Sequence, residues 1–250
     1  MNIIEISNLT HRIIGGKPIL NNINLTVKDG EFIVVAGANG SGKSTLCKQL
    51  NGLLVASQGQ VKVDGVFVAE DLKRARQKVG MIFQEADSQI VGETVFDDVA
   101  FGPENLGLPG EDVERVVNHT LGLVGLLDLK ELPPHILSGG EKRRLAIAGV
   151  LAMTPKVIVF DEPFSNLDYP GIQQVQTQMA TLHSERHTIL VATHNLETVA
   201  DMADRLILME EGEIVKDGPF YDVVHSAETF GVRLPQSVRR RGEFQAWLKR

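Results

Sequence analysis

The sequence predicts an α/β fold, with buried parallel strands between helical layers and a mostly helical insert in the middle of the chain. Three observations predict it. Short β-branched runs alternate with helical stretches along the chain. Runs such as Val157-Ile158-Val159-Phe160 and Ile189-Leu190-Val191-Ala192 are apolar at every position, the pattern of a strand covered on both faces. A glycine-rich stretch, Gly37 to Ser44, falls between an apolar run and a helical one.

Taken in order, Ile3–Ile6 and Glu31–Ala36 read as strands. Lys43 to Leu50 reads as a helix ended by Asn51-Gly52, a good C-terminal cap. Val61–Val63 and Val79–Phe83 read as strands. Between Gln84 and Ala152 the strand signal stops, which defines a helical insert over about 86–152. Within it, Glu111 to Leu123 places Val113, Val116, Val117, Thr120 and Leu121 at helical spacing, with Val124 just beyond. A second helix runs from Gly139 to Ala152 after Ser138. Val157–Asp161 is a strand, Tyr169 to Ser184 a helix, and Thr188–Ala192 and Arg205–Met209 are strands.

Composition narrows the function. The 250 residues are 43% hydrophobic and 23% charged, which excludes a disordered chain, a collagen and a small disulfide scaffold. The formal charge of −7 is a poor footprint for nucleic acid. The one basic stretch is terminal, with Arg233, Arg239, Arg240, Arg241, Lys249 and Arg250 against Glu243. A single cysteine, Cys47, allows no intrachain disulfide, fits a reducing compartment and reads as a small buried side chain. The N-terminus lacks a signal-peptide pattern. No apolar run approaches the ~18–20 residues that span a bilayer, so any membrane role is exercised from the side.

The chemistry starts at Gly37-Ala38-Asn39-Gly40-Ser41-Gly42-Lys43-Ser44, which fits G-x-x-x-x-G-K-[ST]. Glycines let the backbone wrap closely, so successive N–H groups point at a phosphate. The following helix adds free N–H groups and the positive end of its dipole. Gly37, Asn39, Gly40, Ser41, Gly42, Lys43, Ser44 and Thr45 are thus the candidate ATP-phosphate residues. Lys43 reaches the β- and γ-phosphates, and Ser44 ligates Mg²⁺. A glycine-rich turn with a chance lysine is the competing reading; the strand and helix around it argue against that. The matching carboxylates are Asp161, for Mg²⁺ through water, and Glu162, one residue on, to polarise the attacking water. Two acids after a strand could instead cap the next segment.

At Leu137-Ser138-Gly139-Gly140-Glu141 the sequence resembles the signature motif of ABC-type ATPases. Ser138 and Glu141 have capping-box spacing, and the glycines make a second anion site at a helix N-terminus. The resemblance implies a RecA-like core, an antiparallel β edge subdomain and a helical subdomain. It implies that two subunits sandwich two ATP molecules head to tail, so Ser138, Gly139, Gly140, Glu141 and Asp168 serve ATP held by a partner. Gln84 matches the Q-loop glutamine, a contact of Mg²⁺ and water. Ser165-Asn166-Leu167-Asp168 resembles the D-loop, and His194 the switch histidine at the γ-phosphate. The likeness runs from about Ile3 to Gly218, with the ATPase domain expected over 1–220. One departure stands out. The family stacks adenine on an aromatic residue before the phosphate loop, and here Ile13 takes that place, beside His11 and Arg12.

The run Asp97-Asp98-Val99-Ala100-Phe101-Gly102-Pro103-Glu104-Asn105-Leu106-Gly107 looks like the ATPases of energy-coupling factor (ECF) transporters for vitamins or cobalt and nickel ions. That resemblance implies a second ATPase subunit, identical or homologous, and two membrane proteins, one coupling and one substrate-binding. It implies a peripheral place on the cytoplasmic face of the membrane and no nucleic-acid partner. Asp97, Asp98 and Glu104 are expected on the groove for the coupling protein, where they suit basic residues; a solvated helix face is the alternative. The basic extension, 221–250, could touch lipid headgroups, stay solvated or contact a dimer mate. Another ABC transporter class, or a soluble ABC ATPase acting on DNA, are the other functional readings.

Overall fold

The computed structural model describes residues 1–13 and 16–239. β1 (Asn2–Arg12) and β2 (Pro18–Lys28) form an antiparallel hairpin. β3 (Phe32–Ala36) leads through the glycine-rich loop into α1 (Lys43–Leu50). β4 (Gln58–Val63) pairs with β1, and β5 (Val66–Phe67) with β4. α2 (Leu72–Lys78), capped by Asp71, runs into β6 (Val79–Ile82). The insert follows with α3 (Val95–Asn105), α4 (Gly110–Leu123) and α5 (Gly139–Leu151). The chain then returns through β7 (Val157–Asp161), α6 (Tyr169–Ser184), β8 (Thr188–Thr193), β9 (Arg205–Glu210) and β10 (Glu213–Pro219).

Two sheets result. One is antiparallel, in the order β2-β1-β4-β5. The other has the order β10-β9-β3-β8-β7-β6 and is parallel except for β10. The strands expected from apolar runs appear, and β1 is longer than Ile3–Ile6. β2, β5, β10 and α2 have no counterpart in the sequence reading.

The sheet explains the unbroken apolar runs. Phe32, Val34, Ile158, Phe160, Ile189 and Val191 enter one hydrophobic core with the insert helices and α6. Their neighbours Ile33, Val35, Val157, Val159, Leu190 and Ala192 enter a second core with α1 and the antiparallel sheet. Alternate side chains point to opposite faces, and both faces are covered, so the polar residues of these strands, Asp161, Thr188 and Thr193, stand only at their ends. Burying such a side chain stabilises the fold by about 1.5–3 kcal/mol. The first core continues through Phe220, Val223, Val224, Ala227, Val232 and Val238, so the segment after residue 220 packs on the same body. Arg240, Arg241, Lys249 and Arg250 lie outside the described residues.

β3 lies between β8 and β9, and the carboxyl ends of β3, β7 and β8 open on one edge. Ligands of open α/β sheets bind outside such ends.

Candidate active site

The loop from Gly37 to Ser44 gets its shape from glycine. Gly40 and Gly42 hold φ of 83° and 103°, a region L side chains rarely adopt. A Cβ on Gly37 would lie 2.3 Å from the Met209 carbonyl oxygen and 2.6 Å from Ser41 Oγ. Gly42 is also the N-cap of α1 and offers no side-chain acceptor. The first N–H groups of that helix therefore await an external anion.

A cleft of about 340 Å³ opens there, walled by Asn39, Gly40, Gly42, Lys43, Ser44, Thr45, Gln84, Glu162 and His194. Nine residues from four stretches of sequence thus meet at one place. Ile19 completes the wall and was not expected from sequence. Lys43 folds back on the loop, its Nζ donating to the carbonyls of Gly37 at 2.8 Å and Ala38 at 3.1 Å. Burial pulls its pKa down, against the opposing charges of Glu162 and Asp161.

Ser44 Oγ donates to Asp161 Oδ1 at 2.8 Å. Burial pushes the Asp161 carboxyl up, and the charge of Glu162 adds to that. A hydroxyl and a carboxylate side by side suit a hard cation that takes oxygen ligands. Among the described residues, no group of three or more His, Cys, Asp or Glu gathers as a cation cage. Mg²⁺ takes few protein ligands and keeps waters and substrate phosphates as the rest.

Glu162 is nearly buried, at 9% exposed, and its backbone takes φ of 48°. Its Oε1 accepts from the His194 backbone N–H at 3.1 Å and lies 2.9 Å from His194 Nδ1. A carboxylate only accepts, so Nδ1 carries the proton there. Oε2 accepts from Thr193 Oγ1 at 3.1 Å. Thr193 is a residue the sequence reading missed; its signal was its place directly before His194.

The remaining expected residues sit elsewhere. Ser138 caps α5, its Oγ accepting from Glu141 N at 3.3 Å, while Glu141 Oε2 accepts from Ser138 N at 2.8 Å. Ser138 Oγ also donates to Glu141 Oε2 at 2.6 Å, and that bond holds the Glu141 carboxyl below its ordinary range. Asp168 caps α6, accepting from Gly171 N at 3.0 Å. None of Ser138, Gly139, Gly140, Glu141 or Asp168 lines the cleft. Nothing lies within 4 Å of a Cβ built on Gly139 or Gly140, so this chain's own packing does not require glycine there.

At the expected adenine position Ile13 is 61% exposed and outside the cleft wall. His11 Nδ1 lies 3.1 Å from the Val55 carbonyl oxygen, and the Arg12 backbone N–H donates to Ser57 Oγ at 3.0 Å.

Two of the acids expected to face a membrane protein also make hydrogen bonds within the chain. Asp97 closes a capping box, its Oδ2 accepting from Thr94 N at 3.1 Å and Thr94 Oγ1 at 2.7 Å. Asp98 is 8% exposed, and its Oδ1 accepts from Val91 N at 2.7 Å and Gly92 N at 3.0 Å. Burial pushes its pKa up. Glu104 is exposed. Asp98 lines an apolar groove of about 710 Å³ that runs between α2, α3 and α5, with Leu72, Phe101 and Met153 also on its walls.

A phosphate-cradling loop at the end of a parallel strand, facing an oxygen pair for a cation and an acid held by a histidine, defines a P-loop ATPase. A family model described as ABC transporter matches residues 20–165. The chain is 43% identical over 246 residues to the energy-coupling factor transporter ATP-binding protein EcfA2 of Clostridium perfringens, spanning 93% of this chain and 86% of that one. It is 42% identical over 242 residues to EcfA of Methanocaldococcus jannaschii, spanning 94% and 87%. The solved structure of cbiO1 from Clostridium perfringens, part of the ABC transporter complex cbiONQ, matches with a TM-score of 0.82 at 33% identity over 96% and 99% of the two chains. The chain belongs to the ABC transporter family.

Proposed function

We propose that this chain is the ATP-hydrolysing subunit of an ECF-type importer, working as one half of an ATPase dimer on the cytoplasmic face of a membrane. Among the described residues no helix is long and apolar enough to cross a bilayer. Its partners on this reading are a second ATPase subunit, a coupling membrane protein seated in the groove beside α3, and a substrate-binding membrane protein for a vitamin or a transition-metal ion.

One observation carries the reading. The phosphate loop, Asp161, Glu162 and His194 converge on one cleft, while Ser138, Gly139 and Gly140 stand apart at an open helix N-terminus whose glycines serve no local contact. Such glycines make sense where a phosphate from another subunit approaches the backbone closely.

Within the closed site, Lys43 leaves its loop carbonyls for the β- and γ-phosphates, and the α1 N–H groups fix the chain of phosphates. Ser44 and Asp161, with Gln84 beside them, would hold Mg²⁺, which would neutralise phosphate charge. Glu162 turns from Thr193 and His194 to a water in line with the γ-phosphate and orients or deprotonates it. His194 then donates to the charge that develops. Closure on ATP and reopening after hydrolysis drive the membrane partner.

The test is complementation. Lys43→Ala disables a chain's own phosphate loop, and Gly139→Glu disables what it offers a neighbour. Each variant alone should be inactive. Mixed equally, half the dimers pair the two, and each such dimer has one intact site, so about a quarter of wild-type ATPase activity should return. No recovery would refute site sharing between copies of this chain and point to a homologous chain as the mate. Purification of the tagged chain from detergent-solubilised membranes should bring a small membrane protein with it; DNA in its place would favour the repair-type reading.

A further inference from the structure

We propose that Arg143 is a positioning residue, one that ties Gln84 in this chain's own cleft to the helix this chain presents to its neighbour's nucleotide. The inference rests on the head-to-tail reading above. Arg143 lies on α5, five residues beyond Ser138 and about 7.5 Å further along the axis. It is 3% exposed. A guanidinium taken out of water needs partners; the Arg143 Nε has none among the described residues, so the two Nη groups carry the anchoring. Nη1 donates to the Phe83 carbonyl, and Nη2 to the Gln84 carbonyl at 2.5 Å. The sheet does not serve these two carbonyls, because the pairing of β6 with β7 ends at Ile82.

A second link runs beside the first, Lys142 Nζ lying 2.6 Å from Asp87 Oδ1. From within the segment, Gln89 Oε1 accepts from Phe83 N at 3.1 Å, and Gln89 Nε2 donates to the Met81 carbonyl at 3.2 Å. Residues 83–87 are therefore joined to β6 at one end and to α5 at the other. α5 is a single hydrogen-bonded rod of 13 residues. A shift of its N-terminus carries Arg143 along, and the Gln84 backbone with it. When a neighbour's phosphates seat on Ser138 to Gly140, the same helix sets where Gln84 stands at the other ATP. The two sites are coupled through these half-buried hydrogen bonds.

The full-length chain tests this. Arg143→Met and Arg143→Lys are each made alone and combined with Gln84→Ala. Steady-state ATPase is followed against ATP concentration, with separate nucleotide-binding titrations and melting curves. Arg143→Met should lower kcat about tenfold with KM and nucleotide Kd within about twofold, and bring the Hill coefficient of the unmodified chain down to about 1. Arg143→Lys, which keeps one donor, should recover part of kcat. In the Gln84→Ala background Arg143→Met should cost less than about twofold more, since residues acting through one another are not additive. Full additivity, or an unchanged Hill coefficient in Arg143→Met, overturns the proposal. So does a loss that follows the melting temperature alone and is as large in Arg143→Lys. An unmodified chain that neither hydrolyses ATP nor shows complementation would refute the site-sharing reading first, and this proposal with it.

Discussion

Glu162→Gln separates folding from chemistry at the reacting centre. At rest both carboxylate oxygens are in use, Oε1 by the backbone N–H and Nδ1 of His194, Oε2 by Thr193 Oγ1. Glutamine keeps one oxygen, which can hold both His194 bonds. Its NH₂ must then face the Thr193 hydroxyl. That oxygen already accepts from Asn195 N at 3.1 Å and has a second lone pair free. All three bonds to the carboxylate lose their charge assistance, while a nearly buried charge beside Asp161 is removed, so folding stability should change by about 2 kcal/mol or less. Turnover should fall far more, because an amide takes no proton. Loss of a positioned general base costs about 10²–10⁴-fold, or about 3–5 kcal/mol of barrier at 1.36 kcal/mol per tenfold. The assays are steady-state ATPase, nucleotide binding, and size-exclusion chromatography with light scattering in ATP. The variant should bind ATP as the parent does and run as a dimer, with turnover down at least about a hundredfold. Turnover within about threefold of the parent would falsify the assignment of water activation to Glu162.

Three further outcomes are expected. Asp98→Ala should cost about 1–3 kcal/mol in chemical denaturation, because it orphans the Val91 and Gly92 N–H groups. Asp98→Asn keeps an acceptor and removes a buried charge, so it should melt no lower than the parent at pH 7. A raised folded pKa means the ionised form destabilises the fold above that pKa and ceases to below the ordinary carboxylate range. Any advantage of Asp98→Asn should therefore vanish as the pH falls through that window. Gly37→Ala should weaken ATP binding at least about tenfold in a binding titration, since its Cβ would meet the Met209 carbonyl at 2.3 Å and reshape the phosphate loop. Ile13→Tyr should tighten nucleotide binding by about 1–3 kcal/mol if adenine stacks there; an unchanged Kd would show that the base packs elsewhere, with Ile19 the first alternative.

Strands buried on both faces were plain in the sequence because every position in them is apolar, as in Val157 to Phe160 and Ile189 to Ala192. β10 was not, because its seven residues bury no side chain fully and the strand exists through its hydrogen bonds to β9. α2 buries only Ala75, and α3 carries Gly102 and Pro103, which hide a helix behind breaker residues. In the site, the phosphate loop and acid pair were legible because their chemistry needs particular residue types at fixed spacing. Arg143 was invisible for the opposite reason: it binds two backbone carbonyls 60 and 59 residues away, and a carbonyl leaves no trace in residue identity. The intrachain bonds of Asp97 and Asp98 were not legible, because an acid on a helix looks the same whether it caps that helix, braces a loop or faces a partner.

The turn out of β7 bears on any attempt to engineer this ATPase. Glu162 holds a left-handed backbone, which costs an ordinary L-residue about 1–2 kcal/mol. Glycine or asparagine would adopt that conformation more readily. Position 162 is thus a place where the residue best for folding and the residue best for hydrolysis differ. A search guided by melting temperature alone would drift toward losing the carboxylate, and hardening this protein for use calls for holding that one residue fixed while the rest is varied.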